Sequence, residues 1–164
     1  MQTSLTPNPD EALSRLLPHC HRRRYPTKST IIRAGEKGDT LYFIIEGSCA
    51  VSMQDKDSGE DIVLAYLNRG DFIGEVGIFV GPIVRDVSVR TREPSQLAEI
   101  GYERLYHLLG TELSAHAVGI LGILGRQLAS RLLDTSRKVQ SLAFLDVSGR
   151  IAHALLDLAQ QPDA

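Results

Sequence analysis

The stretch Leu41-Tyr42-Phe43-Ile44-Ile45, followed by the turn Glu46-Gly47 and by Ala50-Val51-Ser52-Met53, decides the fold. Both apolar runs are short and rich in β-branched or aromatic residues, and a turn sequence separates them, as in neighbouring antiparallel strands. The same alternation of short runs and turns extends from Arg24 to about Leu105. We therefore expect a predominantly β domain around this stretch.

The regular spacing of these runs predicts how the strands are arranged. Further runs include Thr30-Ile31-Ile32, Ile62 to Leu67, Val87-Ser88-Val89 and Gln96 to Ile100, separated by turns such as Asn68-Arg69-Gly70-Asp71. Many short strands at such spacing are typical of a closed or doubled antiparallel sheet, a barrel or a jelly roll. A parallel fold would need helices between the strands, and the sequence indicates none.

A short helix is predicted before the strands. Asp10 can cap a helix from Glu11 to Leu17, and Pro18 would end it. Its three leucines, Leu13, Leu16 and Leu17, share one face.

A long helix is predicted after the strands, from about Ala115 to Val139, beyond a short helical element at Tyr102 to Tyr106. Its apolar seam alternates spacings of four and three, which is the pattern of a coiled coil: Leu121, Gly125, Leu128, Leu132, Thr135, Val139 and Leu142. Packing of this stripe on the barrel is the alternative. Glycines inside the helix favour close approach of another backbone, because each costs about 1 kcal/mol relative to alanine. We expect the helix to pair with its copy in a homodimer.

Residues 145–164 differ again. A hinge is predicted at Asp146 to Arg150, followed by a helical stretch with Ile151, Leu155 and Leu158 on one face. The predicted organisation is therefore a barrel with its N-terminal helix over residues 1–110, a dimerisation helix over 111–144, and a hinge with one further helix over 145–164.

Composition limits the functional classes. The 164 residues carry a net charge of -2, without the basic excess of a stand-alone nucleic-acid-binding domain. Two cysteines without paired spacing argue against a disulfide framework or an iron–sulfur cluster, and no signal sequence or membrane-length apolar run is present. A cytoplasmic location without membrane contact is expected.

The segment Gly70 to Val89 is the candidate site. Gly74 and Gly77 allow a tight turn whose amides can face an anion. Glu75 accepts hydrogen bonds from a sugar hydroxyl, and Arg85 offers a planar fork of donors to a phosphate. The alternative is ordinary turn glycines with a surface Glu75–Arg85 ion pair, worth about 0 to 1 kcal/mol.

Matching stretches along most of the chain then indicate a family. They are His19 to His21, Tyr25 to Thr30, Gly35-Glu36-Lys37, Thr40-Leu41-Tyr42, Glu46-Gly47-Ser48, Leu67 to Glu75, Ala98-Glu99-Ile100 and Leu142 to Ile151. In these stretches the chain resembles the cyclic-nucleotide-binding domain of the catabolite activator protein family. The resemblance implies a jelly-roll barrel, a long dimerisation helix and a ligand pocket.

The resemblance also implies roles for individual residues. Glu75 with the Gly74 backbone would bind a ribose 2′-hydroxyl, and Arg85 would pair with the cyclic phosphate. Thr135 and Ser136 would meet the base, one from each subunit. A hydrogen bond from Thr135 back to its own helix is the alternative.

Asp86 departs from the cAMP-binding members, in which a small residue follows the phosphate arginine. A carboxylate within about 4 Å of a phosphodiester would cost roughly 4 kcal/mol at an effective dielectric of about 20. A carboxylate could instead accept the two donors of a guanine edge. The sequence is similar here to regulators associated with cyclic di-GMP, so cAMP and cyclic di-GMP both stay open as effector.

The resemblance implies an allosteric transcription regulator and not an enzyme, with no cofactor other than its effector. DNA and RNA polymerase would be partners through a winged helix-turn-helix domain that these residues do not include.

Other readings have weaker support. A metal site at His19-Cys20-His21 lacks ligands if the three alternate on a strand. A cupin-like metalloenzyme lacks histidines in the barrel strands, and a dimerisation scaffold with a degenerate pocket is opposed by Glu75 and Arg85.

Overall fold

The computed structural model describes residues 9–55, 58–144, 149, 151, 152, 155 and 156. The chain divides into two compact units, Met1–Gln127 and Leu128–Ala164, called here the first and second unit.

The first unit is built on antiparallel strands. The described residues form β1 (His21–Tyr25), β2 (Thr30–Ile32), β3 (Lys37–Gly38), β4 (Thr40–Glu46), β5 (Cys49–Gln54), β6 (Asp61–Leu67), β7 (Phe72–Ile73), β8 (Ile83–Val84), β9 (Ser88–Thr91) and β10 (Ser95–Gly101). Two four-stranded sheets have the orders β1-β10-β4-β7 and β2-β9-β5-β6, and β3 pairs with β8. Every described pairing is antiparallel, which confirms the predicted fold class.

Strand alternation divides the buried side chains between two cores. On β4, Leu41 and Phe43 join the core that includes helical residues, whereas Ile44 joins the core shared by the two sheets. On β10, Ala98 and Ile100 face the first core and Leu97 the second. This period of two is what the apolar runs predicted.

The described helices are α1 (Pro9–Leu16), α2 (Val76–Val80), α3 (Tyr102–Gly110) and α4 (Ala117–Phe144), with 3-10 turns at Leu17–His19 and Ser114–His116. The predicted N-terminal helix is confirmed with different bounds. It begins at Pro9, so Asp10 lies in its first turn and is not the residue before it, and Leu17 and Pro18 belong to the 3-10 turn. Leu16 is buried, and Leu13 and Leu17 pack against the first core.

Two local predictions were wrong. His19 and Cys20 do not lie on a strand, because the 3-10 turn ends there and β1 begins at His21. The expectation that no helix interrupts the strands also fails, because α2 lies between β7 and β8. It has only five residues, and its glycine made the sequence read as a turn.

The part of α4 in the first unit packs on the barrel through a stripe next to the predicted seam. Ile120 and Leu124 are buried in the first core, and Leu121 of the seam is partly buried against it. The Gln127 side chain accepts from the Phe72 N–H (2.7 Å) and donates to the Phe72 carbonyl (2.9 Å). The side-chain amide of Gln127 thus provides hydrogen-bond partners for the Phe72 backbone in the edge strand β7.

In the second unit, α4 continues with a largely exposed surface. Leu132 and Val139 of the predicted seam are 68% and 59% exposed. The predicted hinge and Leu158 lie outside the described residues. Among the described residues no single helix is long and apolar enough to cross a membrane, although α3 and α4 reach that threshold as a pair bent by 96°.

Candidate functional site

Gly74 and Glu75 stand where β7 turns into α2. Gly74 has φ +90°, a conformation that costs glycine little and other residues more. A Cβ at this position would also lie 2.7 Å from the Thr40 carbonyl oxygen and 2.9 Å from Arg85 Nη2. Glycine is therefore required here by both backbone geometry and space.

Glu75 is the residue immediately before α2, and it is buried. Only 2% of its surface is exposed, although it is a carboxylate. A charged group at such depth is costly unless it has polar partners. Glu75 meets this requirement at least in part, because it interacts with another group in the structure.

Arg85 is held by its backbone at the end of β8. Its N–H donates to the Glu36 carbonyl (2.8 Å), and its carbonyl accepts from the Gly35 N–H (2.7 Å). These bonds extend the pairing of β8 with β3 by one residue. These bonds fix the Arg85 backbone, and the side chain that extends from it is only 9% exposed.

The Arg85 guanidinium donates from Nη2 to the Thr40 carbonyl (3.0 Å) and to the Tyr102 hydroxyl (3.1 Å). Tyr102 in turn donates to the Gly74 carbonyl (2.5 Å). Tyr102 thus connects the backbone beside Glu75 with the guanidinium of Arg85.

Burial raises the pKa of the Tyr102 hydroxyl; the Arg85 guanidinium opposes that rise, and the Glu75 carboxylate adds to it. Tyr102 is therefore protonated at neutral pH and able to donate to Gly74 while it accepts from Arg85. The Glu75 carboxylate and the Arg85 guanidinium both affect the pKa of this one hydroxyl, so the two buried charged groups lie in the same site.

A second set of polar side chains, Tyr25, Tyr42 and Glu99, lies on strands β1, β4 and β10. The Tyr25 hydroxyl donates to Glu99 Oε1. Burial raises the pKa of Tyr42, Glu99 adds to that rise, and Arg85 opposes it. These tyrosines are protonated at neutral pH.

Asp86 is exposed, and its side chain makes no hydrogen bond or ion pair with any described residue. It does not take Arg85 away from other partners, because Arg85 bonds Thr40 and Tyr102 instead. An Asp86–Arg85 ion pair is thus not observed among the described residues.

Thr135 and Ser136 belong to the second unit. Their hydroxyls donate to the Arg131 and Leu132 carbonyls at 2.8 and 2.9 Å, four residues back on α4. The alternative considered for Thr135, a bond to its own helix, is thus present. Contact of either hydroxyl with a ligand base stays a prediction.

The structure brings together Gly74, Glu75 and Arg85, and it adds residues that the sequence analysis missed. From the sequence, Tyr102 was interpreted as the start of a helix and Gly38 as a turn glycine. A Cβ at Gly38 would lie 2.2 Å from Arg85 Nε. Tyr102 is a buried aromatic whose hydroxyl needs a partner, but that partner lies 17 positions away, so no local pattern in the sequence pointed to it.

No group of three or more His, Cys, Asp or Glu within the described ranges is arranged to hold a metal ion. His19 lies 3.9 Å from Glu112, and Cys20 donates to the Leu16 carbonyl. Burial raises the pKa of the Cys20 thiol to about 11.

Residues 22–112 match the family model of the cyclic nucleotide-binding domain. The CRP-like protein Clp of Xanthomonas euvesicatoria pv. vesicatoria (strain 85-10) is 47% identical over 152 residues, which cover 93% of this chain and 66% of that protein. Clp of Xanthomonas campestris pv. campestris (strain B100) matches with the same identity and coverage. The chain thus spans slightly less than two thirds of the length of these relatives.

Solved structures agree with this similarity. The c-di-GMP-responsive global regulator CLP of Xanthomonas campestris superposes with a TM-score of 0.86 at 46% identity, over 94% of this chain and 74% of that one. The catabolite activator protein of Thermus thermophilus superposes with a TM-score of 0.67 at 25% identity, over 99% of this chain and 71% of that one.

Proposed function

The chain belongs to the cyclic nucleotide-binding domain family and, within it, to the CRP-like regulators, and from this premise we propose that it senses a cyclic nucleotide and dimerises within a transcription regulator. The observation that carries the proposal is the buried pair of opposite charges, Glu75 and Arg85, joined through Tyr102 and Gly74. A surface ion pair, the alternative considered from sequence, would not be buried.

The chemistry of the pair matches the two polar parts of a cyclic nucleotide. A carboxylate accepts from a ribose hydroxyl, and a guanidinium donates charge-assisted hydrogen bonds to phosphate oxygens. In this proposal Glu75 binds the sugar and Arg85 the phosphate. Gly74 allows the close approach of both, because a side chain there would meet Arg85.

Cyclic di-GMP is the effector we propose first. A solved relative at 46% identity is described as c-di-GMP-responsive. The exposed Asp86 carboxylate stands next to the proposed phosphate ligand and can accept from a guanine edge. The same carboxylate would repel the phosphodiester of either nucleotide, so the contact with the guanine edge is what favours cyclic di-GMP in this proposal.

cAMP is the second candidate, supported by the retained Glu75 and Arg85. Because Asp86 is exposed, solvent screens its charge, and the cost to a bound phosphate is then smaller than for a buried carboxylate.

A second copy of the chain is the partner proposed for α4. Its seam residues Leu132 and Val139 are exposed in the single chain. Burying such residues against a copy would contribute about 1.5–3 kcal/mol per fully buried side chain. Ligand would then shift the equilibrium of the dimer by its differential affinity for two states.

DNA and RNA polymerase are proposed partners of the whole regulator, through the winged helix-turn-helix domain that the family resemblance implies. Support for this part of the proposal comes from the CRP-like relatives, whose family the resemblance identifies.

Calorimetric titration with cyclic di-GMP, cAMP and cGMP tests the sensing role. We expect cyclic di-GMP to bind the wild-type protein more tightly than cAMP does. In Asp86→Ser, the preference should move toward cAMP by about tenfold or more. Glu103→Gln, which removes another exposed carboxylate, serves as the control. Absence of binding by all three nucleotides contradicts the proposed function, whereas tight cAMP binding in both proteins contradicts only the role of Asp86.

A further inference from the structure

The Arg85 guanidinium is anchored through one of its three nitrogens. Nη2 donates to Thr40 and Tyr102, whereas Nε and Nη1 make no hydrogen bond with the part of the chain that the structure describes. An arginine carries five N–H donors in a plane, so the Nε–H and both Nη1–H groups stay available. The Nε–H lies on the same side of the guanidinium as Nη2 and Nη1 lies on the side of Cδ, so these donors point in different directions and each can donate to a separate phosphate oxygen.

Tyr102 is itself held in place on several sides. As the first residue of α3, it donates its backbone N–H to the Asp39 carbonyl (2.8 Å). Its hydroxyl donates to the Gly74 carbonyl, and its ring is buried against Gly77, where a Cβ would come within 2.6 Å of the ring. A hydroxyl fixed in this way also fixes the position of the Nη2 that it binds.

Gly38 provides the space for the guanidinium. A Cβ there would lie 2.2 Å from Arg85 Nε and 2.5 Å from Cζ, so any side chain would displace the group. A Cβ at Gly74 would lie 2.9 Å from Nη2. Arg85 also lines an open cavity of about 40 Å³ together with Gly38, Thr40 and Tyr42. This volume has room for a few water-sized groups, such as phosphate oxygens.

We propose that Tyr102 and Gly38 are positioning residues of the phosphate site, which hold Arg85 in place through Nη2 so that the N–H groups on Nε and Nη1 meet the ligand. This inference rests on the proposed function, because it concerns the same site. Neither residue needs to contact the nucleotide; both act through Arg85.

Removal of the Tyr102 hydroxyl tests the anchor. Tyr102→Phe keeps the buried ring, and we expect its affinity for cyclic di-GMP or cAMP to fall about tenfold, as for loss of a hydrogen bond to a charged group. The matched control is Tyr106→Phe on the same helix, whose hydroxyl donates to the Ile78 carbonyl and does not touch Arg85. The control should bind as the wild type does.

A stereochemical readout separates positioning from general stability. A fixed arginine distinguishes the Rp and Sp phosphorothioates of cAMP or cyclic di-GMP, since sulfur replaces a different oxygen in each. We expect a marked preference in the wild type and in Tyr106→Phe, and a ratio near one in Tyr102→Phe. An unchanged ratio in Tyr102→Phe overturns the inference even if its affinity has fallen.

Gly38→Ala provides the second variant, with Gly110→Ala as its control because a Cβ at Gly110 meets nothing within 4 Å. We expect Gly38→Ala to lose about tenfold or more in affinity and to lose the preference between diastereomers. If the wild type binds a nucleotide while both Tyr102→Phe and Gly38→Ala keep its affinity and its ratio, the positioning role is wrong and the sensing function stands. If the wild type binds neither nucleotide, the sensing function fails and the positioning role fails with it.

Discussion

The site around Arg85 and the second unit's part of α4 depart from ordinary burial in opposite ways. In the first region two charged side chains, Glu75 and Arg85, are almost fully buried; in the second, the apolar Leu132 and Val139 are more than half exposed. Buried charge and exposed apolar surface both oppose the stability of an isolated chain. Each region therefore suits the partner proposed for it, a polar ligand in one case and an apolar surface in the other.

The largest expected effect concerns the exposed helix. Leu132→Asp should weaken dimerisation by about a thousandfold, because two leucines leave the interface at about 2 kcal/mol each, or about 4 kcal/mol together. Sedimentation equilibrium over a range of concentrations measures this change. The neighbouring Leu133, 58% exposed but off the seam, is the matched control, and Leu133→Asp should have a much smaller effect. Equal effects of the two variants would mean that the seam does not form the interface.

The next effect concerns the buried base. Arg85→Met should reduce nucleotide affinity about a hundredfold, since charge-assisted bonds to phosphate contribute about 1.5–3 kcal/mol each. Arg90→Met, at an exposed arginine of β9, controls for the loss of one positive charge. Calorimetry compares the two variants, and equal losses in both would indicate nonspecific attraction of the anion.

The buried acid should contribute less. Glu75→Gln should cost about tenfold in affinity, because the amide keeps an acceptor and loses the charge. The wild type should bind a 2′-deoxy analogue of its nucleotide about tenfold more weakly than the nucleotide itself. In Glu75→Gln this difference should shrink. A full 2′-deoxy penalty in Glu75→Gln would separate Glu75 from the sugar.

The last effect is on stability and not on affinity, and it concerns pH and the Cys49 thiol in the core shared by the two sheets. Burial raises the pKa of the Cys49 thiol to about 11. The folded protein therefore keeps this proton to a higher pH than the unfolded chain does, because the pKa of a thiol in an unfolded chain is about 8.5. The contribution of the protonated thiol to the free energy of unfolding is complete below a pH of about 8.5 and is lost as the pH rises toward 11. The Tm of Cys49→Ala should fall less over this interval than that of the wild type, and parallel Tm curves would contradict the assignment.

The sequence predicted the sheets well because strand burial is a local pattern. Leu41, Phe43 and Ile44 alternate between two cores as their order in the chain requires. Helix α2 was missed because Gly77 inside it is typical of a turn; the structure uses that glycine to make room for the Tyr102 ring. A five-residue helix has too little periodicity to be read from sequence.

The candidate site was predictable only in part. Glu75 and Arg85 stood out because their residue types match ligand chemistry. Tyr102 and Gln127 bond residues 17 and 55 positions away, and no local pattern reports such contacts. Gly38 gains its meaning only from the Arg85 side chain that occupies its missing Cβ position.

The most direct measurement of the central claim is the ¹H–¹⁵N spectrum of the arginine Nε–H groups during titration with cyclic di-GMP and with cAMP. The Arg85 resonance, assigned by its absence in Arg85→Lys, should shift strongly with the nucleotide that binds, while that of Arg90 stays in place. Binding of a nucleotide without a shift at Arg85 would contradict the account, because the phosphate would then lie away from the buried pair.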